Sequence, residues 1–195
     1  YNGTMYGYPV SAETYALFYN KALISEDEVP TTWEDLAAWS KDFNSKNPGK
    51  YGFVMDVGSG YYTIVFTTAE GNRLFGADGT DTNNTNINSA ASVKGMNFFQ
   101  SMRSALDVPA ADLDTSTADA AFQAGSAAMH ITGLWNVVPF ENAGIDFGVT
   151  TLPLLPNGNH PVTLSTVDTV CISSYTEYPD ASMLLAKFLT DEEAM

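Results

Sequence analysis

The chain of 195 residues carries 23 acidic and 8 basic residues, a formal net charge of −15, and 45% of its residues are hydrophobic. This length and apolar content suffice for one substantial domain or most of two small ones. The charge argues against nucleic acid and anionic membrane surfaces as partners, because phosphate groups are bound by clustered Lys and Arg. No stretch reaches the roughly 18 to 20 uncharged apolar residues of a membrane helix.

The single cysteine, Cys171 in "TVCISS", excludes a disulfide within the chain and a zinc site built on thiolates. Its apolar surroundings in the sequence predict a buried, inert thiol.

The first half of the chain alternates strand and helix patterns. Residues 3–10, "GTMYGYPV", predict a strand, and "TYALFYN" is either a second strand or a buried segment. A helix is predicted in "TTWEDLAAWSKDFN", because Thr32 and Asp35 have the spacing of an N-terminal cap and Asn47-Pro48-Gly49 ends the pattern. After the strand "YGFVMD", the segment "YYTIVFTTAEGN" is a strand or a helix, and we favour a helix closed by Gly71-Asn72.

The second half continues the alternation. Asn88 is the predicted cap of the helix "SAASVKGMNFFQSMRSAL", which is followed by the short helix "STADAAFQAG", the strand "AAMHIT", a turn at Gly133 and the short helix "LWNVVPF". The predicted core face of the first of these helices consists of Val93, Met96, Phe99, Arg103 and Leu106.

The last third contains the strand "DFGVTTLPLLP" and a long strand, "VTLSTVDTVCISS", long enough to run from one lobe to another. Pro179 begins the helix "DASMLLAKFL", and Thr190 with Glu193 predicts the start of another helix. We therefore expect the natural chain to continue beyond Met195. Alternating strands and helices predict a layered α/β sheet with binding groups on the loops at strand ends.

Signatures of catalysis are missing from the sequence. It has no Gly-x-Ser-x-Gly, Walker, Gly-x-Gly-x-x-Gly or His-Glu-x-x-His motif. His130 lies within a strand pattern and is predicted to be a buried, hydrogen-bonded structural residue, and His160 lies in a loop pattern. A pair of carboxylates for glycosidase chemistry stays open, because only their separation in space would reveal it. We expect no enzyme, no cofactor and no metal site.

Aromatic residues make up 12% of the chain, and several lie where the chain is predicted to turn. These are Tyr6, Tyr8, Tyr61, Tyr62 and Trp135. An aromatic ring with a hydrogen-bonding tip suits a ligand that has both C–H faces and hydroxyls, namely a sugar. Helical spacing assigns Trp33 and Trp39 to the core or its edge, whereas the pattern alone leaves Trp135 open between core and site.

Several motifs resemble one family. "AAFQAGSAAMHITGLW" resembles the "AF..GkaAM.i.GpW" segment of extracellular solute-binding proteins of carbohydrate ABC transporters, the maltose/maltodextrin-binding family. "YNGTMYGYPVSAETYALFYNKALI", "VPTTWEDLAAWSKDF", "FGVTTLPLLPNG" and "YPDASMLLAKFLTDEEAM" are similar to its other motifs in the same order.

The resemblance implies an α/β fold, namely a periplasmic-binding-protein-like (type II) lobe in which helices flank a mixed sheet in three layers. It also implies that the chain is truncated and lacks most of the other lobe. Residues 1–10 would form a hinge strand, 11–165 the C-terminal lobe, and 166–195 a hinge strand and helix returning toward the N-terminal lobe.

The resemblance also implies site residues. Trp135 would be the stacking platform for a sugar ring, Tyr61 a second aromatic at the cleft, and Glu13 an acidic hinge-side group that accepts hydrogen bonds from hydroxyls. Tyr62 and Ser59 complete the predicted ligand-binding set. The maltodextrin binders have an acidic residue and a proline where this chain has Ser59 and Gly60, and a tyrosine in place of Thr115, so the sugar held is expected to differ.

The function implied is capture of a maltose- or maltodextrin-like oligosaccharide in an interlobe cleft and delivery to the permease subunits of an ABC importer. The location implied is extracytoplasmic, in the periplasm or as a surface lipoprotein of a Gram-positive bacterium. Two alternatives stay open. One is a carbohydrate-active enzyme or its sugar-binding module, and the other is a binding protein for a cationic solute, which the acidity would suit.

Overall fold

The structure, a computed structural model, describes residues 5–104 and 113–192. The chain divides into two compact units, one of Tyr15–Leu164 and the other of Tyr1–Thr14 with Ser165–Met195. The assignment of residues 1–10, 11–165 and 166–195 to a hinge, a lobe and a return stays a prediction. Among the described residues, no helix has both the length and the hydrophobicity that crossing a membrane requires.

Strands and helices alternate along most of the chain. In order they are β1 (Tyr8–Glu13), β2 (Tyr15–Asn20), α1 (Trp33–Lys46), β3 (Tyr51–Val54), α2 (Gly60–Thr67), α3 (Ala90–Ser101), α4 (Thr115–Gln123), β4 (Ala127–Gly133), α5 (Val137–Asn142), β5 (Phe147–Thr150), β6 (Thr166–Val170) and α6 (Pro179–Leu189).

A four-stranded mixed sheet, in the order β3-β4-β2-β5, forms the centre of the unit Tyr15–Leu164. β2 runs antiparallel to β4 and β5, and β3 runs parallel to β4. Helices α1, α2 and α3 contribute to the core on one face of the sheet, and α4 and α5 to the core on the other. β2 is thus a buried strand rather than an amphipathic one, which explains why its sequence is continuously apolar.

Two helix predictions are confirmed by local geometry. The side chain of Thr32 accepts a hydrogen bond from the amide of Asp35 at 3.1 Å and caps α1. The segment after "VGSG" is a helix, α2, with Ser59 as its cap, although it ends at Thr67 rather than at the predicted Gly71-Asn72.

The prediction for α3 is wrong in two respects. The cap is Ser89 rather than Asn88, because the Ser89 hydroxyl accepts the amide of Ser92 at 3.1 Å. The fully buried residues of α3 are the small Ser92 and Gly95, whereas Val93, which was predicted for the core face, is exposed. A Cβ at Gly95 would lie 1.8 Å from the Phe66 carbonyl oxygen, so α3 touches α2 backbone to backbone, which apolar spacing does not reveal.

Met96 and Phe99 are partly buried and pack against the core, as predicted, whereas Arg103 is exposed and Leu106 lies outside the described residues.

The second unit contains the antiparallel pair β1 and β6, whose register shifts between Pro9 and Ser11. The long strand predicted from "VTLSTVDTVCISS" is wrong in extent, because only Thr166–Val170 is a strand. Cys171 is exposed rather than buried, since it follows a strand that has only one partner in its sheet. A two-stranded ribbon offers little burial to the residues at its ends.

The helix α6 begins at Pro179, as predicted from the proline at its first turn. Thr190 is its C-terminal cap residue, and its hydroxyl donates to the carbonyls of Ala186 and Lys187. The capping box predicted for Thr190 includes Glu193, which lies outside the described residues.

Candidate ligand-binding site

Trp135 lies directly beyond the buried strand β4, in a single 3-10 turn formed by Leu134–Asn136. Its side chain is 39% exposed, so the indole is neither a core residue nor free in solvent. The preceding Gly133 has φ −101° and ψ 177°, an extended conformation that any residue adopts. Glycine is therefore not needed there to turn the chain.

Gly133 is needed because it makes room for the indole. A Cβ at Gly133 would lie 2.1 Å from Cζ3 and 2.2 Å from Cη2 of Trp135, far inside van der Waals contact. One edge of the ring rests on the Gly133 α-carbon. The backbone at the end of β4 therefore supports the ring directly.

Asn136 fixes the turn that carries Trp135. Its side-chain amide donates a hydrogen bond to the Thr132 hydroxyl at 2.7 Å, and both side chains are buried. A buried hydrogen bond between residues on either side of Gly133 ties the 3-10 turn to the strand. The turn that carries the indole is consequently fixed to the end of β4 by residues before and after Trp135.

Tyr61 lies beside Trp135. The two ring centroids are 6.2 Å apart with 52° between the planes, and the Tyr61 ring is half-buried. Tyr61 in turn contacts Tyr15 at 5.0 Å and Tyr62 at 5.2 Å between centroids. The structure thus brings together two predicted site residues, Trp135 and Tyr61, over a base of tyrosine rings.

Tyr62 belongs to that base, since its side chain is 4% exposed. Burial raises the pKa of Tyr62 to about 12, and a hydrogen bond with Thr132 partly opposes this shift. The phenol is neutral under ordinary conditions. Its ring supports Tyr61 from below and offers almost no surface of its own.

The loop before α2 is organised by Asp56, which the sequence analysis missed. One carboxylate oxygen accepts the amides of Gly58 and Ser59, each at 3.0 Å, and the other accepts the Thr115 hydroxyl at 2.6 Å. The available signal was "MDVGSG", an aspartate two residues before a glycine, which is typical of an Asx turn. Thr115 therefore holds the loop that begins α2.

Ser59 has a structural task at the same place. Its hydroxyl oxygen accepts the amide of Tyr61 at 3.3 Å and caps α2. The cap fixes where α2 starts and hence where Tyr61 projects. A direct contact between Ser59 and a ligand stays a prediction.

Glu13 belongs to the other compact unit. It is the last residue of β1, is half-buried and pairs in register with Thr166. Its contact with a sugar stays a prediction.

His130 is a buried structural residue, as predicted, and is 1% exposed. Its Nδ1 lies 3.1 Å from the Val54 carbonyl oxygen and its Nε2 lies 2.7 Å from Asp119 Oδ1. His160 is exposed in a loop, also as predicted. Within residues 5–104 and 113–192, no three His, Cys, Asp or Glu side chains are grouped so that they could hold a metal ion.

Comparison with solved structures supports the fold. A cyclo/maltodextrin-binding protein complexed with maltotetraose matches all of this chain with a TM-score of 0.84 and 35% identity, over 50% of its own length. A Thermus thermophilus maltotriose-binding protein bound with maltotriose matches with a TM-score of 0.83 and 28% identity, over 52% of its length. The predicted fold class, an α/β lobe of the type II periplasmic-binding-protein kind, is confirmed.

Sequence relatives agree with this result. The galactooligosaccharide-binding protein of Bacillus subtilis (strain 168) is 33% identical over 195 residues, 97% of this chain and 46% of the relative. A maltooligosaccharide ABC transporter solute-binding lipoprotein of Streptococcus pneumoniae (strain ATCC BAA-255 / R6) is 32% identical over 165 residues, 80% of this chain and 38% of the relative. The chain spans about half the length of the proteins it matches, or less.

The model of one family, the bacterial extracellular solute-binding proteins, matches residues 1–195. The resemblance seen in the sequence motifs is thereby confirmed. The chain belongs to the bacterial extracellular solute-binding proteins.

Proposed function

We propose that this protein binds an oligosaccharide, with Trp135 and Tyr61 as the aromatic surface on which sugar rings rest. The observation that carries the proposal is the exposed indole of Trp135, supported on Gly133 and set 6.2 Å from Tyr61. An aromatic face held in place before the ligand arrives binds at a low entropic cost. Relatives named for galactooligosaccharide and maltooligosaccharide, and solved relatives in complex with maltotetraose and maltotriose, support a sugar as the ligand.

A neutral ligand fits the site better than a cationic one. The carboxylate beside α2, Asp56, accepts three hydrogen bonds from the protein itself. Asp119 on α4 is engaged by His130 at 2.7 Å. Carboxylates already engaged in this way are poor counter-ions for an amine, and the overall charge of −15 reflects acidic residues spread along the chain.

The wider role follows from the family. We propose that the protein acts outside the cytoplasm as the substrate-binding component of an ABC importer and delivers its sugar to permease subunits. The relative in Streptococcus pneumoniae is a lipoprotein, which supports a surface-anchored form. The role requires capture and release without chemistry, so we infer that the protein is not an enzyme.

Titration calorimetry of the protein at its natural length tests the proposal. Maltotetraose, a galactooligosaccharide and spermidine are titrated in parallel, and release of reducing ends is assayed with each sugar. We expect binding of at least one of the two sugars, no binding of spermidine and no release of reducing ends. Binding of spermidine alone, or turnover of either sugar, would contradict the proposal.

A matched pair of variants locates the site. Trp135→Ala should weaken sugar binding by about tenfold to a hundredfold, since buried tryptophans at interfaces commonly contribute about 2 kcal/mol or more. Trp39→Ala is the control, because Trp39 is also partly buried but stacks on Phe43 in α1. We expect it to lower stability without changing affinity.

A further inference from the structure

The helix α4 touches the supports of both aromatic rings. Thr115 and Asp119 lie four residues apart in this helix, so their side chains project from the same face. That face is directed toward the sheet, because its other members, Ala118 and Phe122, are fully buried. α4 packs against β3, which precedes α2, and against β4, which precedes the turn with the indole.

Thr115 acts on the side of Tyr61. Its hydroxyl donates a hydrogen bond to Asp56 Oδ2 at 2.6 Å, and Asp56 Oδ1 accepts the amides of Gly58 and Ser59 at 3.0 Å each. Ser59 caps α2 by accepting the amide of Tyr61 at 3.3 Å. Because Asp56 bonds α4 with one oxygen and the start of α2 with the other, Thr115 fixes the position from which Tyr61 projects.

Asp119 acts on the side of Trp135. Its Oδ1 accepts a hydrogen bond from the Thr132 hydroxyl at 3.4 Å and lies 2.7 Å from Nε2 of His130, so Asp119 contacts β4 at two positions. The Thr132 oxygen accepts the Asn136 amide at 2.7 Å, and Asn136 belongs to the turn that carries Trp135. A chain of two hydrogen bonds therefore runs from α4 to that turn.

A ligand that rests on both rings depends on their mutual geometry. The ring centroids of Trp135 and Tyr61 are 6.2 Å apart with 52° between the planes, although the two side chains come from different elements, the end of β4 and α2. Gly133 supports the indole from its own strand, and Tyr62 supports Tyr61 from its own helix. α4 is bonded to both sides and therefore connects them.

We propose that α4 fixes the separation and the angle of the two aromatic rings of the site. Thr115 positions Tyr61, and Asp119 positions Trp135 through Thr132. The proposal rests on the sugar-binding function proposed above, because the two rings are the surface assigned to the sugar. These three polar residues are positioning residues. They hold the rings in place before the ligand arrives, so their loss lowers affinity while both rings remain.

The test removes one hydroxyl at a time. Thr115→Val and Thr132→Val keep the shape of the side chain, whereas Thr115→Ser and Thr132→Ser keep the hydroxyl. Affinity is measured by titration calorimetry of the protein at its natural length, with the better-binding of maltotetraose and galactooligosaccharide. Each valine variant should lower affinity by about threefold to tenfold, the usual effect of one lost hydrogen bond. Each serine variant should restore wild-type affinity.

Double-mutant cycles show through which ring each hydroxyl acts. The effect of Thr115→Val should disappear in the Tyr61→Ala background and persist in the Trp135→Ala background. The effect of Thr132→Val should show the opposite dependence. A loss of stability alone would lower affinity equally in both backgrounds, so the cycles distinguish positioning from a structural role.

Ser126→Ala is the matched control. The Ser126 hydroxyl donates to the carbonyl of Ala121 at 2.8 Å and ties the C-terminal end of α4 to the chain that enters β4. This variant also removes one hydroxyl between the same two elements, at the end away from the rings. We expect a lower free energy of unfolding in denaturant titrations and unchanged sugar affinity.

A measurement without sugar separates this proposal from the proposed function. The nuclear Overhauser effect between the Trp135 indole and the Tyr61 ring should weaken in either valine variant and return in the matching serine variant. If the wild type binds no sugar, the proposed function fails and this signal alone decides the positioning. An unchanged signal in both valine variants, or an affinity loss that persists when the ring in question is removed, would overturn the positioning proposal.

Discussion

Replacing Gly133 with alanine should displace Trp135 while leaving β4 in place. The backbone at Gly133, with φ −101° and ψ 177°, accommodates alanine without strain. The added Cβ, however, would lie 2.1 Å from Cζ3 of the indole, where ordinary contact begins at 3.4 Å, so the ring must move by about 1.3 Å. The indole is partly exposed and can swing toward solvent, so the free energy of unfolding should fall by only about 1 kcal/mol.

Gly133→Ala should lower the affinity for sugar by more than it lowers the free energy of unfolding. A stacking surface moved by more than an ångström loses most of its contact with a ligand, so we expect a loss of about tenfold to a hundredfold by titration calorimetry. Trp135→Ala sets the lower bound of affinity. Wild-type affinity in Gly133→Ala would refute the reasoning that Gly133 supports the ring for ligand binding.

Gly148→Ala is the matched control for this experiment. A Cβ there would lie 2.1 Å from Cζ of Tyr19, so the clash with an aromatic ring is as severe as at Gly133. Tyr19 is buried and cannot swing out, so the free energy of unfolding should fall by about 1 to 3 kcal/mol. Sugar affinity, measured below the unfolding transition, should be unchanged.

Three further predictions concern the site and its support. Tyr61→Ala should weaken sugar binding by about tenfold in calorimetry, because it removes the second ring of the site. Gly95→Ala should lower the free energy of unfolding by about 3 kcal/mol in denaturant titrations, because its Cβ would lie 1.8 Å from the Phe66 carbonyl oxygen; a stabilised variant would contradict this contact. Stability should be full below about pH 10, where unfolded tyrosine begins to ionise, and fall as pH rises toward 12, since burial raises the pKa of Tyr62 to about 12 and that of Tyr15 further. Equal stability at pH 9 and pH 11 would contradict that burial.

Local side-chain chemistry was predictable from the sequence. The cap of α1 depends on Thr32 and Asp35, which are three residues apart. The buried strand β2 is indicated by its run of apolar residues. Such signals involve residues that are close in the chain, so they can be recognised in the sequence without knowledge of the fold.

Contacts between elements were not predictable in the same way. Ser92 and Gly95 are the fully buried residues of α3, because its close approach to α2 needs small residues at the point of contact. Cys171 has apolar neighbours in sequence yet is exposed, because burial depends on what packs over the strand.

The candidate site was predicted in part. The motif around Trp135 and the tyrosine pair after "VGSG" named the two rings that the fold brings together. The role of Gly133 was misread as a turn, since a sequence shows that a residue is small but not which neighbour occupies the space. Asp56 is hydrogen-bonded to a residue 59 positions away along the chain, and Asp119 to His130 and Thr132, which are 11 and 13 positions away. No local sequence pattern marks contacts between residues so far apart.

The central claim is that Trp135 and Tyr61 form the surface that holds an oligosaccharide. A crystal structure of the protein at its natural length, with the better-binding of maltotetraose and galactooligosaccharide, tests it most directly. We predict a sugar ring stacked on the free face of Trp135 with Tyr61 in contact. A bound sugar that leaves the Trp135 indole untouched would contradict the account.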